Sequence, residues 1–182
     1  MDTFFDIVKG RRSIRRFTAQ PVEQEKLDVL LEAARWTPSW ANTQCWELIV
    51  VADADTKKEI SGLVSPKNPA TLACANAPLL LAVCGALGKS GFYKGEQTTI
   101  LGDWFMYDCG LFTQTISLAA HKLGLGTVIV GLFDHHAVKK LLAVPDGYEV
   151  VALLPLGYPD HAPSAPKRKA VGEFVHHERF SL

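Results

Sequence analysis

The run Asp103 to Gly126, DWFMYDCGLFTQTISLAAHKLGLG, constrains the chain more than any other stretch. Phe105, Cys109, Phe112, Ile116, Ala120 and Leu123 recur at helical spacing, and Trp104, Leu111 and Leu118 mark a second stripe seven residues apart. Asp103 is placed to cap the start, His121 and Lys122 suit the negative end of the helix dipole, and Gly124 suits a terminator. A helix apolar on two faces belongs in the middle of a core or between two subunits, because a surface helix shows a polar side. Both placements stay open at this point.

A chain of 182 residues fits one domain with a substantial core. With 48% hydrophobic and 21% charged residues it reads as an ordinary soluble globular protein. Lys+Arg and Asp+Glu balance at 19 each, which argues against bulk attraction to nucleic acid or an anionic membrane, so any basic function has to be local. The start, MDTFFDIV, lacks the basic region of a signal peptide, and no apolar run is long enough for a membrane span; a cytoplasmic location is expected. Cys45, Cys74, Cys84 and Cys109 show neither C-x-x-C nor metal-site spacing and fit reduced, buried thiols.

Local basic character is found at Gly10-Arg11-Arg12-Ser13-Ile14-Arg15-Arg16-Phe17, after a first helix capped by Asp2 or Thr3. The cluster suits either a solvated face or a partly buried anion site, where arginine forks and the Ser13 hydroxyl meet phosphate oxygens. A scaffold helix follows through Leu27, Leu30, Leu31 and Ala34. Next comes a polar loop from Thr37 to Cys45 carrying Trp40, Asn42 and Gln44, and then a buried strand from Trp46 to Ala52. Amides and hydroxyls beside large rings suit a planar heteroaromatic ligand, although Trp40 covering the core and Asn42 making a turn would look the same.

Helices are expected from Asp53 or Asp55 to about Leu63, from Thr71 to Ala77, and from Asp134 through Leu142. Further strands are expected at Leu79 to Cys84, Thr127 to Gly131 and Tyr148 to Pro155. Between them, 85–99 is rich in glycine and carries Phe92 and Tyr93, which reads as a lid over a site or as a plain surface connection. Gly124-Leu125-Gly126 does not fit a dinucleotide fingerprint, since a helix precedes the glycines and a strand follows them. Phosphate-loop, G-x-S-x-G and H-E-x-x-H motifs are missing, and the adjacent pairs His135-His136 and His176-His177 do not make a metal set.

The order and spacing of four segments resemble the nitroreductase family of flavin mononucleotide (FMN) enzymes. They are Arg11-Arg12-Ser13-Ile14-Arg15; Pro38-Ser39-x-x-Asn42-x-Gln44-x-Trp46; Ala119-Ala120 through Gly126-Thr127; and Pro166-Lys167-Arg168-Lys169 followed by Glu173-Phe174-Val175. The resemblance implies an α+β fold with a mixed, largely antiparallel sheet of four short strands, helices on both faces, and an intertwined homodimer whose C-terminal segment adds a strand to the partner's sheet. It places the FMN phosphate and ribityl chain on Arg11, Arg12 and Ser13, with Lys167, Arg168 and Lys169 closing over the phosphate and Arg15 beside the N1/O2 edge of the ring. Pro38, Ser39, Trp40, Asn42 and Gln44 would reach the flavin from the other subunit. Ile129, Val130 and Gly131 would face the ring near N5 through their backbone, Val130 standing where family members often carry Glu. Cys45 stands where many members carry proline.

The implied activity is NAD(P)H-driven reduction of a small electron acceptor, such as a nitroaromatic or quinone, by a ping-pong mechanism. Trp40, Phe92 and Tyr93 would bound the shared pocket. Related activities of this architecture include reductive dehalogenation, and flavin storage or sensing without turnover is the alternative from another class. No acid, base or nucleophile set is apparent, as expected where a cofactor carries the chemistry.

Overall fold

The two longest apolar runs, LLLAVCGA and YEVVALLPLG, form the centre of the sheet. The computed structural model describes residues 3–180, and in it strand β2 (Leu79–Ala86) pairs antiparallel with β6 (Tyr148–Gly157). Strand β1 (Trp46–Val51) lies along the other side of β2, and β5 (Gly126–Thr127) lies along β6, giving the order β1-β2-β6-β5. Every ladder in this sheet is antiparallel; its mixed character comes from a single parallel bridge, Ser13 to Thr127.

Alternation along the strands divides the core in two. Leu80, Ala82 and Cys84 point to one face, where they meet Ile60 of α3 (Ala54–Leu63), Ala73 and Cys74 of α4 (Thr71–Asn76) and Val138 of α6 (His135–Leu141). Leu81 and Val83 point to the other face, against Leu27, Leu30 and Ala34 of α2 (Gln24–Arg35) and against α5 (Phe105–Lys122). On β6 a one-residue bulge intervenes, since Val83 pairs with Ala152 but Cys84 pairs with Val150. The extra residue, Val151, reverses the alternation, so Val150 and Leu153 share the first face while Ala152, Leu154 and Leu156 share the second.

The expected central helix is present as α5, with Cys109, Phe112, Ile116 and Ala120 buried against the sheet. Its second stripe behaves differently: Trp104, Leu111 and Leu118 are only half-buried, and Met106 and Tyr107 are exposed beside them. Gly124, at φ +77°, ends the helix as expected, with Leu125 N–H returning to Ala120 O at 2.8 Å. Asp103 sits one residue outside the N-cap position, which Trp104 occupies. Its carboxylate accepts from Phe105 N–H at 3.2 Å and from Gly88 N–H at 2.6 Å, so it ties the 85–99 segment to the helix start.

Side-chain caps from Thr3, Asp53 and Asp134 fix the starts of α1 (Phe4–Gly10), α3 and α6. The 85–99 segment contains a short hairpin, β3 (Phe92–Tyr93) with β4 (Glu96–Gln97), rather than being irregular throughout. Among the described residues no helix is long and apolar enough to cross a membrane.

Candidate functional site

The basic cluster is held by the sheet edge. After α1 the chain extends: Ser13 bridges Thr127, Ile14 N–H donates to Thr127 O at 2.9 Å, and Phe17 bridges Pro159. In extended backbone alternate side chains face opposite ways. Ile14 is buried, whereas Arg15 is exposed and Ser13 half-buried. Arg11, Arg12, Ser13 and Arg15 then line a cavity of about 260 Å³ together with Pro163, Ser164, Pro166 and Arg168. The first and last parts of the described chain therefore meet in one pocket.

A second cavity of about 320 Å³ shares Arg11, Arg12 and Pro163 with the first and adds Ser117, His121, Thr127 and His161. A third, of about 540 Å³, is lined by Arg15, Arg16, Phe17, Pro69, Leu72, Asn76, Asp160 and His161. Among the described residues no carboxylate pairs with Arg11, Arg12, Arg15 or Arg168 within 4.0 Å. The Arg11 guanidinium is pulled below its ordinary pKa, first by burial and then by repulsion from Arg12 and Arg168. Four like charges, half-buried at Arg11 and Arg12 and exposed at Arg15 and Arg168, without a carboxylate partner are suited to an anion.

The arginines are not equivalent. Arg12 donates from one terminal nitrogen to Lys9 O at 2.6 Å and to Arg11 O at 2.8 Å, so part of its fork closes the end of α1. Arg11 makes no such backbone bond. Of the three basic residues expected over the phosphate, all exposed, Arg168 lines the pocket and Lys167 and Lys169 lie outside its lining.

The aromatic loop is built at the other end of α5. A 3-10 turn, Trp40–Asn42, follows Ser39, and Ala41, Asn42 and Gln44 adopt φ of +42°, +55° and +47°. Such backbone costs on the order of 1 to 3 kcal/mol per residue and persists only when other contacts hold it, with asparagine the most tolerant. Those contacts are Gln44 N–H to Ser39 Oγ at 2.9 Å and Trp40 N–H to the Asp108 carboxyl at 3.1 Å. The Trp40 ring packs on Trp104 at 5.1 Å between centroids. Pro38, Ser39, Trp40, Trp104, Tyr107, Asp108 and Leu111 enclose a cavity of about 220 Å³ that shares no residue with the basic ones.

At about 1.5 Å per residue, the stretch of α5 from Asp108 to His121 spans roughly 20 Å. The chain therefore presents its basic cluster and its aromatic loop at opposite ends of one helix. Asn42 and Gln44 are exposed beside the loop, as are Ile129 and Gly131 near the sheet edge. Val130 is buried, and both its backbone groups bond to Leu153 at 2.9 Å, so its amide belongs to the sheet. Of the expected backbone contribution of 129–131, the Val130 groups are thus already engaged within the sheet. Phe92 is half-buried and Tyr93 exposed, on the hairpin that begins next to Ser90.

Asp108, Ser90, His161 and Pro163 were not singled out from the sequence. An acidic residue inside an otherwise apolar helix was the available signal for Asp108, which is 1% exposed. No local pattern marks the others.

Residues 8–158 match the family model described as the Nitroreductase family, and the chain belongs to that family. It is 32% identical over 193 residues to an FMN reductase (NAD(P)H) of Bacillus subtilis, covering 100% of this chain and 76% of that protein. It is 25% identical over 186 residues to an NADPH-flavin oxidoreductase of Vibrio harveyi, covering 99% and 75%. Among solved structures, an FMN-dependent nitroreductase of Clostridium difficile superposes with a TM-score of 0.80 at 26% identity, covering 97% of this chain and 100% of that one.

Proposed function

We propose that this protein is an NAD(P)H-dependent oxidoreductase that binds FMN and reduces a small acceptor, such as a nitroaromatic or quinone, by a ping-pong mechanism. The observation that carries the reading is the pocket in which Arg11, Arg12, Ser13 and Arg15 meet Arg168 without a carboxylate partner. A phosphate monoester there would receive several charge-assisted hydrogen bonds, each worth about 1.5 to 3 kcal/mol. Family membership and the names of the flavin-dependent relatives support the same cofactor and electron donor.

FMN, when bound, supplies the hydride and electron transfer, and this chain's residues bind and orient it and exclude water. Arg11, Ser13 and Arg168 hold the phosphate, with Arg12 contributing whatever of its fork α1 leaves free. Arg15 borders both the phosphate cavity and the larger one beside it, and would offer positive charge to the part of a bound FMN beyond its phosphate. The amides of Ile129 and Gly131 offer polar contacts at the ring edge.

The homodimer belongs to this reading. Loop 38–44 stands about one helix length from the basic cluster of its own chain, so each flavin takes its phosphate site from one protomer and Pro38, Ser39, Trp40, Asn42 and Gln44 from the other. Phe4, Phe5, Tyr107, Leu132 and Phe174 are each more than half exposed, which is apolar surface that a large obligate interface of about 2,000 Å² or more would bury. Val171 to Val175, exposed and outside the sheet, supplies the segment for the partner.

The purified protein should carry flavin absorption with FMN as the released cofactor, sediment as a dimer at micromolar concentration, and oxidise NAD(P)H when an acceptor is added. A flavin-loaded monomer would refute the shared site. A loaded dimer with no acceptor-dependent oxidation would refute the enzymatic reading.

A further inference from the structure

Asp108 is a polar residue placed where the sequence pattern asks for an apolar one. It lies in the first turn of α5, 1% exposed, and its carboxyl accepts from Ser90 Oγ at 2.5 Å, from Trp40 N–H at 3.1 Å and from the Cys45 thiol at 3.6 Å. Ser90 is itself fully buried, and its oxygen lies 2.6 Å from Thr43 Oγ1. A serine hydroxyl has one proton, which goes to Asp108, so Thr43 is the donor to Ser90. The bonds run Thr43 to Ser90 to Asp108, and Trp40 closes the circuit through the strained loop 40–44.

Two otherwise separate segments depend on this circuit. One is the loop whose left-handed residues Ala41, Asn42 and Gln44 need outside contacts to persist. The other is the β3–β4 hairpin, which starts just past Ser90. Ser90 O accepts from Trp104 N–H at 2.9 Å, and Gly91 O accepts both from Thr98 N–H at 2.9 Å and from its hydroxyl at 2.7 Å. The hairpin base is therefore bolted to the same helix turn that holds Trp40. Burying a carboxyl is costly unless donors meet it, and here the donors come from the two segments rather than from the helix.

We propose that Asp108 is a positioning residue that holds the Trp40 loop and the Phe92–Tyr93 hairpin in fixed relation, so that one buried carboxyl sets both walls of the pocket used by NAD(P)H and the acceptor. This rests on the reading that Trp40 and the hairpin bound that pocket. Both walls come from a single protomer, because the circuit joining them lies within one chain.

The replacements Asp108→Ala, Asp108→Asn, Ser90→Ala, Trp40→Ala and Tyr93→Ala, made in the FMN-loaded protein, separate the possibilities. The measurements are flavin content, thermal midpoint, and steady-state kcat and KM with NADPH and a nitroaromatic acceptor. Asp108→Ala and Ser90→Ala should raise both KM values at least tenfold, with kcat per bound flavin within threefold of the parent. Asp108→Asn should bring both KM values back to within about threefold, because the Thr43–Ser90 bond can reverse its direction and let Ser90 accept from the amide. Should Asp108→Ala not fold, Ser90→Ala and Asp108→Asn still decide the matter. Unchanged KM in Ser90→Ala, while Trp40→Ala and Tyr93→Ala raise it, overturns the positioning role and leaves the pocket standing. Unchanged KM in Trp40→Ala and Tyr93→Ala overturns the pocket, and the role with it. A lowered thermal midpoint and lost flavin with KM unmoved would make Asp108 a stabilising residue only, and would also overturn the proposal.

Discussion

Ile14 lies so close against Gly126 that a β-carbon on the glycine would stand 2.5 Å from Ile14 Cγ1. The contact seats the extended segment 13–17 on the end of β5, and with it the side chains that turn outward, Ser13 and Arg15. Gly126→Ala should push that segment off the sheet edge, destabilise the fold by about 1 to 3 kcal/mol, and weaken FMN binding at least tenfold. Denaturant unfolding and FMN titration measure the two effects. Gly62→Ala provides the contrast: its β-carbon meets nothing within 4 Å, and it should stabilise α3 by about 0.5 to 1 kcal/mol.

The arginines at the pocket should separate under substitution. Arg11→Ala removes a guanidinium with no backbone bond to lose, so FMN affinity should fall at least tenfold, about 1.4 kcal/mol, with little change in unfolding free energy. Arg12→Ala also removes the bonds to Lys9 O and Arg11 O, so both FMN affinity and stability should fall. FMN titration unaltered in both variants would refute the phosphate site.

Arg15 should act on rate more than on binding. If its charge favours the cofactor state with more negative charge, Arg15→Gln lowers the flavin midpoint potential and slows reduction by NAD(P)H while most FMN stays bound. Stopped-flow reduction as fast as the parent would refute this. Initial-rate plots that intersect, rather than run parallel, would refute the shared pocket.

Alkaline stability should follow the buried thiols. Burial raises Cys74 from 9.0 to about 12, and burial with repulsion from Glu47 and Glu149 raises Cys84 to about 11. In the unfolded chain these groups lose protons near their ordinary value, so above about pH 9 the unfolded state binds fewer protons and stability falls. Their contribution is complete below about pH 9 and is lost as pH rises toward 11 and 12, at about 1.4 kcal/mol per pH unit for each thiol. Urea unfolding at pH 8 and pH 10 measures the slope, which should flatten in Cys74→Ala.

Elements governed by local chemistry could be read before the fold was seen. The apolar runs of β2 and β6, the buried stripe of α5 and the caps at Asp53 and Asp134 depend on neighbours within a few residues. The strand expected from Thr127 to Gly131 shortened to Gly126–Thr127, with only Val130 rejoining β6 at Leu153, because no local pattern records where an edge leaves its ladder. At the site, the arginine cluster was visible from the local sequence alone. That Arg168 rather than Lys167 or Lys169 lines it depends on how an irregular segment lies over the pocket, and irregular backbone has no period to read.

Strand β1 occupies one margin of the sheet, with β2 bonded to one side of it only. Its sequence, WELIVV, is rich in β-branched and aromatic residues and carries a single charge, Glu47, so its outer backbone groups form an adhesive rim. Chains diluted out of denaturant should therefore divide between productive folding and edge-to-edge precipitation, and the yield of soluble protein should depend on how soon that rim is covered.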